Sequence, residues 1–189
     1  MATTPAAPAT SPDAHAGHGG EIAADAPSAH SLYHLRSEWT DQQGRTRTLE
    51  ELAGRVQVVA MVYTHCGYAC PRILMDMKRI EGEVGGSGEV GLVLVSVDPE
   101  RDTPERLAAY ARSADLDPTR WTLLSAPDGN VRELAALLGV RYRQTPDGEF
   151  EHSNVITVLD PGGVVSHQQQ GLGQDPTATV RAIRGLLGE

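Results

Sequence analysis

Two apolar runs separated by one helical stretch constrain this chain more than anything else in it. Val56-Gln57-Val58-Val59-Ala60-Met61-Val62-Tyr63 is nearly continuous in apolar, mostly β-branched side chains, as expected of a strand covered on both faces. Gly91-Leu92-Val93-Leu94-Val95-Ser96-Val97-Asp98 repeats that pattern. Between them Ile73, Leu74, Met77, Ile80 and Val84 keep helical spacing. Pro71 suits a first helical turn, and Gly85-Gly86-Ser87-Gly88 reads as a loop. Parallel strands joined by a crossover helix form a right-handed βαβ unit, so this part belongs to an α/β sheet.

The flanks extend that unit. Leu32-Tyr33-His34-Leu35 and Trp39-Thr40-Asp41-Gln42-Gln43-Gly44-Arg45 read as two short strands around a polar turn containing Gly44, with the folded part beginning near Ser31. Asp102-Thr103-Pro104-Glu105 starts a second helix with apolar positions at Leu107, Tyr110 and Ala111. Trp121 to Leu124 is a short strand, and Asp128 or Asn130 caps a third helix through Leu134, Leu137 and Leu138, ended by Gly139. Val155 to Leu159 and Val164 to His167 flank Asp160-Pro161-Gly162-Gly163, a hairpin signal, and a closing helix covers Pro176 to Leu187. A strand pair, then βαβα, βα, a hairpin and a helix, with a cysteine pair after the first central strand, describes a thioredoxin-like fold with an extra N-terminal element.

The length of 189 residues fits one domain plus a tail. Residues 1–30, rich in Ala, Pro, Ser and Thr and carrying His15, His18 and His30, read as a disordered leader or linker, and residues 31–189 as the domain. With 16 Lys and Arg against 25 Asp and Glu, the formal net charge of −9 argues against a nucleic-acid or anionic-membrane binder. No stretch approaches the roughly 20 apolar residues that cross a bilayer.

Only two cysteines occur, Cys66 and Cys70, spaced i and i+4 at the strand-to-helix junction. If Cys70 lies in the first helical turn, both sulfurs can face one point, which permits a disulfide or a bound ion. A helix N-terminus favours negative charge, so a thiolate is expected to form readily at Cys70. The plainer reading is a pair of inert buried thiols. Two sulfurs leave most metals short of ligands, which turns attention to the seven histidines. His15, His18 and His30 fall in or beside the leader, His34 on an edge-strand candidate, His65 beside Cys66, and His167 on the outer part of the hairpin. His152 stands just before the last strand pair, where a thioredoxin-like topology faces the cysteine loop; by position alone it is an exposed loop residue or a third ligand.

Thr64-His65-Cys66, Cys70-Pro71, the phrase Val95-Ser96-Val97-Asp98-Pro99-Glu100-Arg101-Asp102-Thr103-Pro104 and the late His152-Ser153 together resemble the Sco/SenC family of copper chaperones, from about Ser31 to the C-terminus. The resemblance implies a thioredoxin-like fold with an inserted hairpin. It implies copper, as Cu(I) or Cu(II), held by Cys66, Cys70 and His152, which agrees with the preference of Cu(I) for soft sulfur. It also implies delivery to the binuclear copper site of cytochrome c oxidase, with the copper-bearing subunit or another copper chaperone as partner. The chain would be a monomer working in the periplasm or another extracytoplasmic space, held to a membrane by an anchor absent from this sequence. Asp98 would sit near the cysteine loop, shaping the turn with Pro99 or supporting the ligands. Family members often carry proline and aspartate after the first cysteine, where this chain has Gly67 and Tyr68, and a more mobile loop is expected.

Two rivals share the fold. A thiol-disulfide oxidoreductase would use Cys66 and Cys70 as a redox pair without His152, although CxxxC is one residue wider than the usual CxxC. A peroxidase needs one low-pKa cysteine with donors nearby. A copper sensor or store would need the same ligands as a carrier.

Overall fold

The computed structural model describes residues 30–86 and 88–189. The expectations for the leader, including His15 and His18, lie outside the described residues. Nine strands and four helices are described, in the order β1 (Trp39–Asp41), β2 (Thr46–Arg47), β3 (Val56–Val62), α1 (Ala69–Val84), β4 (Val90–Ser96), α2 (Pro104–Ser113), β5 (Trp121–Ser125), α3 (Asp128–Leu137), β6 (Tyr142–Gln144), β7 (Phe150–His152), β8 (Val155–Leu159), β9 (Val165–Gln170) and α4 (Thr177–Leu187).

Seven strands form one sheet in the order β2-β1-β5-β4-β3-β8-β9, while β6 and β7 pair apart from it. β3, β4 and β5 are parallel, and β1, β8 and β9 join antiparallel. The crossovers through α1 and α2 step the same way across the sheet, so right-handedness places both helices on one face. α4 packs beside α1. All seven residues of β3 and all seven of β4 are buried, as their unbroken apolar runs require. Ile73, Met77 and Ile80 of α1 are 0–1% exposed against them, each worth about 1.5–3 kcal/mol of burial. Gly91 stands opposite Gln57 in the ladder, and a Cβ there would meet the Gln57 side-chain oxygen at 2.1 Å.

Three local expectations are corrected. Leu32–His34 is a 3₁₀ turn rather than a strand, because the Ser31 side chain accepts the Tyr33 N–H and the Leu35 N–H returns to the Leu32 carbonyl. His34 is therefore not on an edge strand, and the N-terminal strand pair is Trp39–Asp41 with Thr46–Arg47 around Gly44. Neither Asp128 nor Asn130 caps α3: Asp128 is its first residue, bound to Arg132 and Tyr142, and Asn130 reaches the Glu38 carbonyl. His167 is not a free surface residue, since its Nε2 lies 3.2 Å from Thr179 Oγ1 of α4.

Candidate metal centre

The apolar run of β3 ends in a turn whose geometry sets both sulfurs. The Cys66 N–H donates to the Tyr63 carbonyl at 3.3 Å, which brings the chain back toward the strand end. Helix α1 then begins without a side-chain cap on Tyr68, so its first N–H groups need other acceptors. One of them, on Cys70, donates to Cys66 Sγ at 3.3 Å, and the Tyr63 N–H donates to Cys70 Sγ at 3.4 Å. Both cysteines are free thiols, Cys70 buried and Cys66 half-buried.

Asp102 holds this turn from below. Its carboxylate, with no exposed surface, accepts the Thr64 N–H at 3.1 Å, the Thr64 hydroxyl at 2.5 Å and the Ser96 hydroxyl at 2.6 Å. Asp98 does not reach the sulfurs. Its carbonyl accepts the Arg101 N–H at 3.2 Å, which is the turn with Pro99, and its carboxylate accepts from Arg101, whose guanidinium continues to the Gly148 carbonyl at 2.6 Å, so the side chain braces the β6–β7 ribbon rather than the sulfurs.

His152 is not in a loop but closes β7, directly opposite Tyr142 of β6. Its Nδ1 is 3.2 Å from the Ser153 carbonyl, which can only accept, so Nδ1 carries the proton and Nε2 keeps its lone pair. That Nε2 faces Cys70 Sγ at 3.5 Å. Burial, partly offset by the Ser153 carbonyl, holds the His152 pKa below its ordinary value and keeps the ring neutral at pH 7, the state in which it can bind a metal. The ligating atoms of Cys66, Cys70 and His152 lie within 4.8 Å of one another, the one such cluster of three among the described residues. A soft pair of sulfurs with one imidazole suits copper better than magnesium or calcium, which want oxygen. His30 and His34 are exposed. His65 turns toward Thr64 Oγ1 at 3.3 Å.

The two thiols differ in the sense opposite to the sequence expectation. Burial, aided by the Cys66 sulfur and by the charges of Cys66 and Asp102, pushes the Cys70 thiol up despite the Tyr63 N–H. At Cys66 burial also works against the thiolate, but the N–H and thiol of Cys70, the Tyr68 N–H and the Tyr63 hydroxyl outweigh it and hold the thiol below its ordinary value. The helix N-terminus acts through its N–H groups, and these point at Cys66.

Sequence reasoning passed over Tyr63, Asp102 and the Gly148–Phe150 end of the small ribbon. Tyr63 was hidden as the last member of an apolar run, although its polar tip distinguished it. Asp102 stands in a helix start and in the Val95–Pro104 phrase, and neither marks it as the anchor of the cysteine turn.

A seven-stranded α/β sheet with a cysteine pair at a strand-to-helix junction and a histidine returning from a late strand defines a thioredoxin-like domain carrying a two-sulfur, one-imidazole cluster. Residues 27–188 match the SCO1/SenC family model, and the chain belongs to that family. The SCO1 protein homolog of Bacillus subtilis is 26% identical over 140 residues, 72% of each chain. The human mitochondrial protein SCO2 homolog is 29% identical over 133 residues, 66% of this chain but 48% of its own length. The structure of Bradyrhizobium japonicum ScoI with copper bound is 27% identical, with a TM-score of 0.66 over 80% of this chain and 96% of that one.

Proposed function

We propose that this chain is a copper carrier, in which reduced Cys66 and Cys70 hold the ion and His152 completes the ligand set. The observation that carries this reading is the convergence of Cys70 Sγ and His152 Nε2 to 3.5 Å across 82 positions of sequence, beside Cys66. Thiolates and imidazole suit Cu(I), as they also suit zinc, and the copper-bound ScoI relative supports copper as the cargo. The recipient is the copper-bearing subunit of cytochrome c oxidase or another copper chaperone. The carrier works as a monomer outside the cytoplasm, held at a membrane by a segment outside this sequence. A recipient's thiolates replace the ligands one at a time. Oxidation of the pair to a Cys66–Cys70 disulfide passes two electrons and two protons to a partner's disulfide, which becomes two thiols, and removes both sulfur ligands.

Anaerobic titration of the reduced protein with Cu(I) and Cu(II) tests this, using wild type beside Cys66→Ser, Cys70→Ser and His152→Ala. One equivalent bound tightly, with sulfur-to-copper charge-transfer absorption for Cu(II) weakened in all three variants, is expected. Copper binding indifferent to His152 would overturn the three-ligand set.

The inequality of the two thiols favours a second reading, a thiol-disulfide reductase acting on the recipient's cysteines. An accessible low-pKa Cys66 beside a buried Cys70 has the arrangement of an attacking and a resolving thiol. Turnover of a disulfide substrate that survives His152→Ala would select it.

A further inference from the structure

We propose that Tyr63 is a positioning residue that holds His152 against the two cysteines, an inference that rests on the copper reading above. Tyr63 follows β3 directly and touches every member of the cluster. Its N–H donates to Cys70 Sγ at 3.4 Å, and its carbonyl accepts from Cys66 at 3.3 Å. Its ring meets the His152 imidazole edge-on, with centroids 6.1 Å apart and planes at 78°, and meets the Phe150 ring at 5.5 Å.

The hydroxyl reaches further. It lies 3.0 Å from Glu149 Oε2 and 3.2 Å from the Phe150 carbonyl, and it accepts the Phe150 N–H at 3.4 Å. With one proton it donates to one acceptor at a time, one of those oxygens or the Cys66 sulfur, while accepting from Phe150. Phe150 and His152 share one face of β7, two residues apart, so whatever pins Phe150 also fixes the reach of His152.

The ribbon needs such a tether. β6 and β7 have three residues each and pair only with one another, and an isolated two-stranded hairpin is marginal in water. Tyr63 itself is 4% exposed and anchored in the main core. One buried hydroxyl therefore joins the rigid sheet, which sets the sulfurs, to the ribbon that sets the imidazole.

Tyr63→Phe removes that hydroxyl and keeps the ring. In the copper-free protein, amide hydrogen exchange at Phe150 and His152 is expected to quicken about tenfold or more, with the melting midpoint close to wild type. Cu(I) affinity, read by competition with a chromophoric chelator, should fall on the order of tenfold, the usual scale for a group that orients a ligand. Combined with His152→Ala, Tyr63→Phe should add no further loss. Wild-type exchange and affinity in Tyr63→Phe, a loss that adds in full to that of His152→Ala, or a collapse of global folding would each overturn the proposal. Unchanged affinity in His152→Ala alone would instead remove the ligand set, while the copper-free exchange would still decide whether Tyr63 holds the ribbon.

Discussion

The two sides of the candidate metal centre are mounted on opposite kinds of support. Cys66 and Cys70 stand at the end of β3 and the start of α1, where every residue of the two central strands is buried and α1 presses Ile73, Met77 and Ile80 onto them. His152 arrives on a ribbon whose six residues are all half-buried or exposed. Dense packing leaves the sulfurs little freedom, whereas the imidazole is placed by a handful of polar contacts from Tyr63, Arg101 and Ser153. A candidate site built this way can open at one member without disturbing the fold, which fits the carrier proposed above.

The contrast predicts that truncations under the cysteines cost stability and those in the ribbon do not. Ile80→Ala, at 0% exposure beneath β3 and β4, should lower unfolding free energy by about 2–5 kcal/mol in urea titrations. A cost below about 1 kcal/mol would mean that α1 is not held by the core as described. Asp102→Asn comes next: an amide has one acceptor oxygen where three donors now converge on two, and about 1–3 kcal/mol should be lost. Unlike Ile80→Ala, it should also quicken alkylation of Cys66, because Thr64 loses its hold on the turn.

Acid sharpens the comparison from the far edge of the sheet. Asp41 of β1 is buried, which works against its charge, but the N–H of Arg45, the guanidinium groups of Arg47 and Arg45 and the N–H of Gln43 outweigh this and hold its carboxyl below the usual range. A depressed folded pKa gives stability that is present above the unfolded value of about 3.9 and is lost as pH falls through the folded one. Asp41→Asn should therefore be less stable than wild type by about 1–3 kcal/mol at pH 7, with the gap closing as pH drops below about 4. Urea midpoints from pH 7 to 3 read this directly, and exchange in the ribbon should be the same in both proteins at pH 7. A gap that does not depend on pH would remove the charge from the explanation.

Legibility in the sequence followed the same division. The central βαβ unit could be read because burial on both faces writes itself as an unbroken apolar run, and the crossover rule then fixes hand and neighbours. The β6–β7 ribbon buries too little to leave an alternation, so Tyr142 and Phe150 stood unmarked and His152 could be placed near the cysteines only through topology and family resemblance. Leu32–His34 looked like a strand because three of four residues in its window are apolar, yet a single Ser31 hydroxyl turns the chain into a 3₁₀ turn. The order of thiol acidity was not readable at all. It depends on which sulfur the N–H groups at the start of α1 point toward, and spacing alone does not give that direction.

The smallest expected effect is the one that isolates the tether. Arg143 and Glu151 stand opposite one another across the ribbon, with Arg143 Nη2 2.7 Å from Glu151 Oε2, and their side chains are 75% and 62% exposed. A pair so open to water is worth about 0–1 kcal/mol, and it lies along the ribbon rather than between ribbon and sheet. Arg143→Ala should therefore leave the melting midpoint, the exchange of Phe150 and His152 and the Cu(I) affinity within error of wild type, even though it removes the ribbon's own cross-strand ion pair. Should it loosen His152 as much as Tyr63→Phe does, the ribbon's internal pairing, not its tether to β3, would be what places the imidazole.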